Sequence, residues 1–188
     1  MYKQLAILLF NLIFHPEKAW KTRIEEQDTD TGDFQMSYLY PILGIIALFS
    51  FVGILLSLQK WEIQIAIKQV IKETVPYFIG YFLAVFALSR LSMKFAEEEL
   101  PDSICERFTG YASAAVYAIA MLSALLPTFP FIQLFTVYTF YIVWQGAIHY
   151  LRIKEQHLAK FTIFASILII LAPLIVRLLL KLTMPGLK

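Results

Sequence analysis

The chain has 188 residues, 59% of them hydrophobic, and a mean hydropathy of +0.67, a surplus that excludes an ordinary water-soluble domain and points to an integral membrane protein. Its net charge is only +2 and no basic stripe runs along it, which argues against a nucleic-acid partner. The one cysteine, Cys105, excludes an internal disulfide framework and, beside Glu106 and Arg107, reads as a reduced bystander thiol.

Leu5 to Phe14 is apolar but too short to span a bilayer, and no small-residue cleavage site follows it as a secretory signal would require. Lys3, Gln4 and Asn11 share one side. The reading is an amphipathic helix lying in the membrane interface, stopped before Pro16 and anchored by Trp20; packing across the end of a helical bundle is compatible with it. Residues 21–36 are polar and carry Glu25, Glu26, Asp28, Asp30 and Asp33. A calcium loop starting at Asp28 needs Gly sixth and Glu twelfth, whereas Gly32 is fifth and Leu39 twelfth, so a solvated acidic linker is expected.

Residues 37–188 then read as an all-α transmembrane domain of five helices, spanning about 37–58, 74–94, 104–126, 129–151 and 159–182, behind the interfacial helix and linker of residues 1–36. The first span opens on Tyr38-Leu39-Tyr40-Pro41, where tyrosines suit the headgroup belt and Pro41 suits a first turn. Residues 60–73 mix Lys60, Trp61, Glu62, Lys68, Lys72 and Glu73 with isoleucine and valine at helical spacing, an amphipathic helix feeding the second span. The run Glu97, Glu98, Glu99 reads as a solvated face, and Ser103-Ile-Cys-Glu106 as a capping box opening the third span. The corner Leu126-Pro127-Thr128-Phe129-Pro130 is short enough to force the third and fourth spans antiparallel and into contact. Pro173 predicts a kink in the fifth.

Five crossings place the termini on opposite sides. One side carries ten Lys/Arg, from Lys3, Lys18, Lys21 and Arg23 through Arg90, Lys94 and Arg107 to Arg152, Lys154 and Lys160, against six on the other. The excess predicts a cytoplasmic N-terminus and an external C-terminus. Lipid tails are as apolar as leucine, so close backbone approach and interhelical hydrogen bonds must hold such a bundle together. Gly80 and Ala84 on the second span, and Gly110, Ala114 and Ala118 on the third, supply stripes of small residues expected to face neighbouring helices.

Gly110-Tyr111-Ala-Ser-Ala-Ala-Val-Tyr117 resembles the Gly-Tyr…Tyr signature of the Yip family, the Ypt/Rab-interacting five-span membrane proteins. That family's Asp-Leu-Tyr-Gly-Pro signature is echoed by Tyr38-Leu39-Tyr40-Pro41, with Tyr38 in place of Asp and the Gly missing. His15-Pro16-Glu17-Lys18-Ala19-Trp20 resembles the Asn-Pro…Trp opening of bacterial members. The resemblance implies a non-enzymatic protein without a cofactor that organises membranes or partner proteins, eukaryotic members being linked to Rab GTPases and vesicle traffic. Their long cytoplasmic N-terminal region has no counterpart here, so the expectation is a bacterial inner-membrane relative whose partners are the bilayer and other membrane proteins or itself.

Polar residues at membrane depth are the remaining candidates. Gln133, Gln145 and His149 lie in the fourth span, and Gln145 and His149, four apart, share a face. Tyr111, Tyr117, Gln145 and His149 are therefore the residues expected to line a polar or ligand-binding cavity, if one exists; His149 otherwise sits near the headgroups. Arg90 and Arg177 lie near span ends and can snorkel. No catalytic or metal-binding constellation is present: no His-Glu-x-x-His, no Gly-x-Ser-x-Gly and no phosphate-binding glycine loop. A small-solute transporter or channel component, and an intramembrane lipid-modifying enzyme, are the alternatives to a non-catalytic organiser.

Overall fold

A computed structural model describes residues 2–26, 33–58, 63–95, 100–126 and 129–183. Asp28 to Gly32 of the tested calcium loop, Lys60 to Glu62, the Glu97–Glu99 run, Pro127 and Thr128 of the corner and residues 184–188 lie outside these. The described residues are all-α, with no strand. In chain order the helices are α1 (Tyr2–Phe14), α2 (Pro16–Glu26), α3 (Tyr40–Leu58), α4 (Ile63–Phe95), α5 (Asp102–Ala112), α6 (Ala114–Leu125), α7 (Thr139–His149) and α8 (Glu155–Thr183). A π turn, Gln35–Leu39, leads into α3, and a 3₁₀ segment, Pro130–Tyr138, leads into α7.

Four stretches are long and apolar enough to cross a membrane: Gln35–Ser57, Ile63–Phe95, Phe131–His149 and Glu155–Thr183. The pair α5–α6 makes a fifth when counted as one span, although it is bent by 42°. The cause of the bend is local. Thr109 Oγ1 donates to the Cys105 carbonyl (2.6 Å) and Ser113 Oγ to the Thr109 carbonyl (2.7 Å), two successive side-chain bonds to the carbonyl four residues back. Such bonds compete with the ladder and bend helices, and Ser113 leaves the helical region, at ψ 0.

The first span starts earlier than its apolar run. The Asp33 carboxylate accepts from the Gln35 N–H (2.9 Å) and the Met36 N–H (3.4 Å), so the last acidic residue of the linker caps the helix. The π turn that follows closes on the bond from the Tyr40 N–H to the Gln35 carbonyl, just ahead of Pro41, which has no N–H with which to continue the ladder. The third span shows the opposite outcome. Its cap is Pro101, with Asp102 in the first turn and no side-chain cap bond, so Ser103 and Glu106 form no capping box.

The bundle is held where backbones meet. On α4, Pro76, Gly80, Ala84, Leu88 and Ser92 form a buried seam at four-residue spacing, and α4 runs along α8 more extensively than any other pair of elements. A Cβ on Gly80 would lie 2.8 Å from the Pro173 Cα, so the glycine meets the interior proline of α8 directly. Gly53 of α3 lies closer still to the Ala124 carbonyl of α6. Ala114 is buried and Ala118 half-buried, on the far side of the bend from Gly110.

The fourth span combines two helical forms, rising about 2.0 Å per residue in the 3₁₀ segment and about 1.5 Å in α7, and is long enough to cross a bilayer. Phe131, Leu134, Phe135 and Val137 point outward from it, as side chains solvated by lipid do.

Candidate functional site

The motif residues of three separate stretches meet at one end of the bundle. Trp20 of α2 has no exposed surface, and its Nε1–H donates to the Ile142 carbonyl of α7 at 3.0 Å. Its ring stacks on Phe108 at 5.4 Å between centroids and meets Tyr150 at 5.3 Å and Tyr111 at 6.0 Å. Gly146 makes the room: a Cβ there would lie 2.7 Å from two indole carbons and 2.8 Å from the Phe108 ring. Trp20 is thus no headgroup anchor; it pins α2 into the bundle. α1 follows it in, with Leu5 and Leu12 buried and Tyr138 Oη donating to the Ile13 carbonyl (2.7 Å).

Tyr111 joins that cluster to the start of the first span. Its ring is edge-on to Phe34 (5.2 Å, 90°) and to Tyr38 (5.0 Å, 78°). Gly110 is where the Phe34 ring lies, its Cε1 being 2.6 Å from any Cβ placed there. The family-motif residue Tyr38 is 2% exposed, so burial among aromatics replaces the headgroup position expected of it, while Leu39 is fully buried and Tyr40 faces outward, donating through its hydroxyl to Gln35 Oε1 (3.0 Å). Tyr81 of α4 completes this end by donating to the Glu106 carbonyl (3.2 Å).

The four residues expected to line a cavity are spread over the fold. Tyr111 belongs to the aromatic cluster just described. Tyr117, 2% exposed on α6, stands edge-on to Tyr77 of α4 at 6.3 Å. Gln145 and His149 are half-buried on α7. None of them lines the cavity that opens among the spans.

That cavity, of about 150 Å³, opens between α4, α6, the 3₁₀ segment and α8, at the end of the bundle away from Trp20. Its polar lining is Tyr77, Ser123, Gln133, Thr136 and Arg177. Arg177 does not snorkel alone. Its Nη2 lies 2.6 Å from Glu73 Oε2 across the α4–α8 interface, with both side chains about one-fifth exposed, and its guanidinium sits over the Tyr77 ring at 5.8 Å. Gln69 donates to the other Glu73 oxygen at 3.3 Å. Ser123 Oγ is buried with no protein hydrogen-bond partner, as expected of a hydroxyl that faces water or a solute. The sequence held one sign of the ion pair: Glu73 and Arg177 are opposite charges, each within reach of an apolar span.

One cation, an amide and three hydroxyls can hold a small polar solute or a file of waters. Among the described residues no group of three or more His, Cys, Asp or Glu side chains gathers as a metal site would require. No curated protein and no solved structure matches the chain. The family model described as the Yip1 domain matches residues 10–177, which takes in Trp20, the first-span motif and Gly110-Tyr111 alike, and on that match the chain belongs to the Yip1-domain family.

Proposed function

We propose that this protein is a non-catalytic organiser of other membrane proteins in a bacterial cytoplasmic membrane, with its N-terminus in the cytoplasm and its C-terminus outside. The observation that carries this reading is the use made of the motif residues. Trp20, Tyr38, Gly110 and Tyr111 interlock, with the Phe34 ring between them, and their effect is to fix the α1–α2 pair against the bundle. A rigid pair of helices beside the spans is a surface for partners, and one that needs no bond-making chemistry. The partners are other membrane proteins or a second copy of the chain.

Gentle solubilisation followed by affinity capture tests it: specific membrane proteins should co-purify with the wild-type chain and be lost with Trp20→Ala. Capture that returns no partner from either counts against the role. Compartment reporters at the two termini test the topology, which requires opposite sides.

A second reading, passage or binding of a small polar solute, is favoured by the cleft around Arg177, Gln133 and the unpartnered Ser123 hydroxyl. Solute flux in proteoliposomes that disappears with Gln133→Leu would support it over the organising role.

A further inference from the structure

We infer that the cleft between α1 and α2 is a binding site for the phosphate of an anionic phospholipid headgroup. The cleft has a volume of about 240 Å³ and is lined by Leu8 and Asn11 from α1, by His15 at the junction of the two helices, and by Lys18, Ala19, Thr22 and Arg23 from α2. Leu8 and Asn11 share one face of α1, and His15, just past its end, continues their three- and four-residue spacing; on α2 the spacings Lys18–Thr22, Ala19–Thr22 and Ala19–Arg23 put those four residues along one side. Two helices meeting at Pro16 therefore turn a row of nitrogen donors toward one space.

The chemistry of that space is one-sided. Lys18 and Arg23 are cations, the Arg23 guanidinium also sitting over the Tyr111 ring at 6.0 Å, and Asn11, His15 and Thr22 add polar groups. Among the described residues no carboxylate lines the cleft. The nearest in sequence, Glu17, is engaged elsewhere: Lys21 Nζ lies 2.6 Å from its Oε1, and that hydrogen bond holds the Glu17 carboxyl below the usual carboxylate range. A phosphate has the acceptor oxygens and the negative charge that such a lining fits. Lys18 and His15 are exposed, so an incoming headgroup can reach them, whereas Thr22 and Arg23 sit half-buried at the floor.

A lipid, not free phosphate, is assigned because of what borders the cleft. Ile7, Phe10 and Phe14 form an exposed apolar strip on α1, about 100° around the helix from the cleft-lining face. An apolar strip beside a cationic groove is what a helix in the membrane interface presents to acyl chains and headgroup together. The site does not depend on the organising role proposed above; it requires only that α1 and α2 lie at the membrane boundary.

Native mass spectrometry of the full chain released from detergent, with phosphatidylglycerol or phosphatidylcholine added, tests the assignment. The expected result is a retained one-to-one phosphatidylglycerol adduct, bound at least about tenfold more tightly than phosphatidylcholine. The double substitution His15→Gln/Lys18→Gln, at exposed positions, should weaken it about five- to tenfold, whereas Lys68→Gln, an exposed cation outside the cleft, should leave it unchanged. Equal retention of the two lipids overturns the proposal, and so does an equal loss with Lys68→Gln. Displacement of the lipid by millimolar inorganic phosphate would give the cleft to free phosphate and overturn the lipid assignment.

Discussion

The indole of Trp20 lies on the bare Cα of Gly146, a contact that joins a helix near the N-terminus to one 126 positions later and leaves no room for a methyl group. The indole is hydrogen-bonded at its nitrogen and boxed in by Phe108 and Tyr150, so it has no nearby rotamer to retreat to. Gly146→Ala should therefore displace Trp20 from its seat and act much like Trp20→Ala. Large-to-small replacement of a buried aromatic costs about 3–5 kcal/mol, which corresponds to a fall of roughly 6–20 °C in Tm for a chain of this size. Because both substitutions break the same contact, the double variant should lose far less than the sum of the two. Thermal unfolding in one detergent, with proteolysis within α1–α2 as a local probe, checks both statements; additive losses would show that the contact does not matter.

A second packing test concerns the link between the two family motifs. Gly110→Ala drives a methyl into the Phe34 ring, itself held by Tyr38 and Tyr111. We expect a loss of about 1–3 kcal/mol, as overpacking usually produces. Phe34→Leu added to Gly110→Ala should recover part of it. If Gly110→Ala alone leaves Tm unchanged, the ring is free to move and the two motifs are not locked together.

These two contacts also show how far the sequence could be read. Spans are legible because each is a local sum: some twenty apolar residues between polar turns report a crossing with no knowledge of what lies beside it. Gly80 and Gly110 are legible as small, but not in what they meet. Gly80 receives an interior proline of another helix, and Gly110 an aromatic ring from the stretch ahead of the first span. Trp20 is the less legible residue in sequence. Tryptophan after a short apolar helix fits the membrane interface, and only the distant Gly146 and Ile142 reveal that it is buried. For the same reason Gln145 and His149, conspicuous as polar residues in an apolar run, said less about the cleft than Ser123 and Thr136, which look ordinary in sequence.

The bend at Ser113 was equally hidden, because it follows from hydroxyls that could as easily have faced another helix. Ser113→Ala and Thr109→Val remove the two bonds to preceding carbonyls and should let α5 and α6 straighten. Each should cost about 0.5–1.5 kcal/mol of stability. Spin labels at the outer ends of α5 and α6 would report the change as a longer separation in the double variant. An unchanged distance would mean that packing, and not the hydroxyls, sets the 42° angle.

The ion pair between α4 and α8 gives the sharpest test of the polar cleft. Glu73 and Arg177 are mostly shielded, so removing one leaves a poorly solvated charge facing its lost partner, whereas removing both does not. Glu73→Gln and Arg177→Met should each destabilise the bundle more than the double variant does, with a coupling of about 1–3 kcal/mol. Added salt should reduce that coupling only weakly, because a shielded pair is poorly screened. The cleft sharpens the comparison further. Arg177 lines it and Glu73 does not, so Glu73→Gln leaves the guanidinium in place while freeing it to bind a solute. If the cleft binds a small anion, Glu73→Gln should tighten binding even as stability falls, and Arg177→Met should abolish it. Equal loss of binding from both would make the pair a structural strut alone.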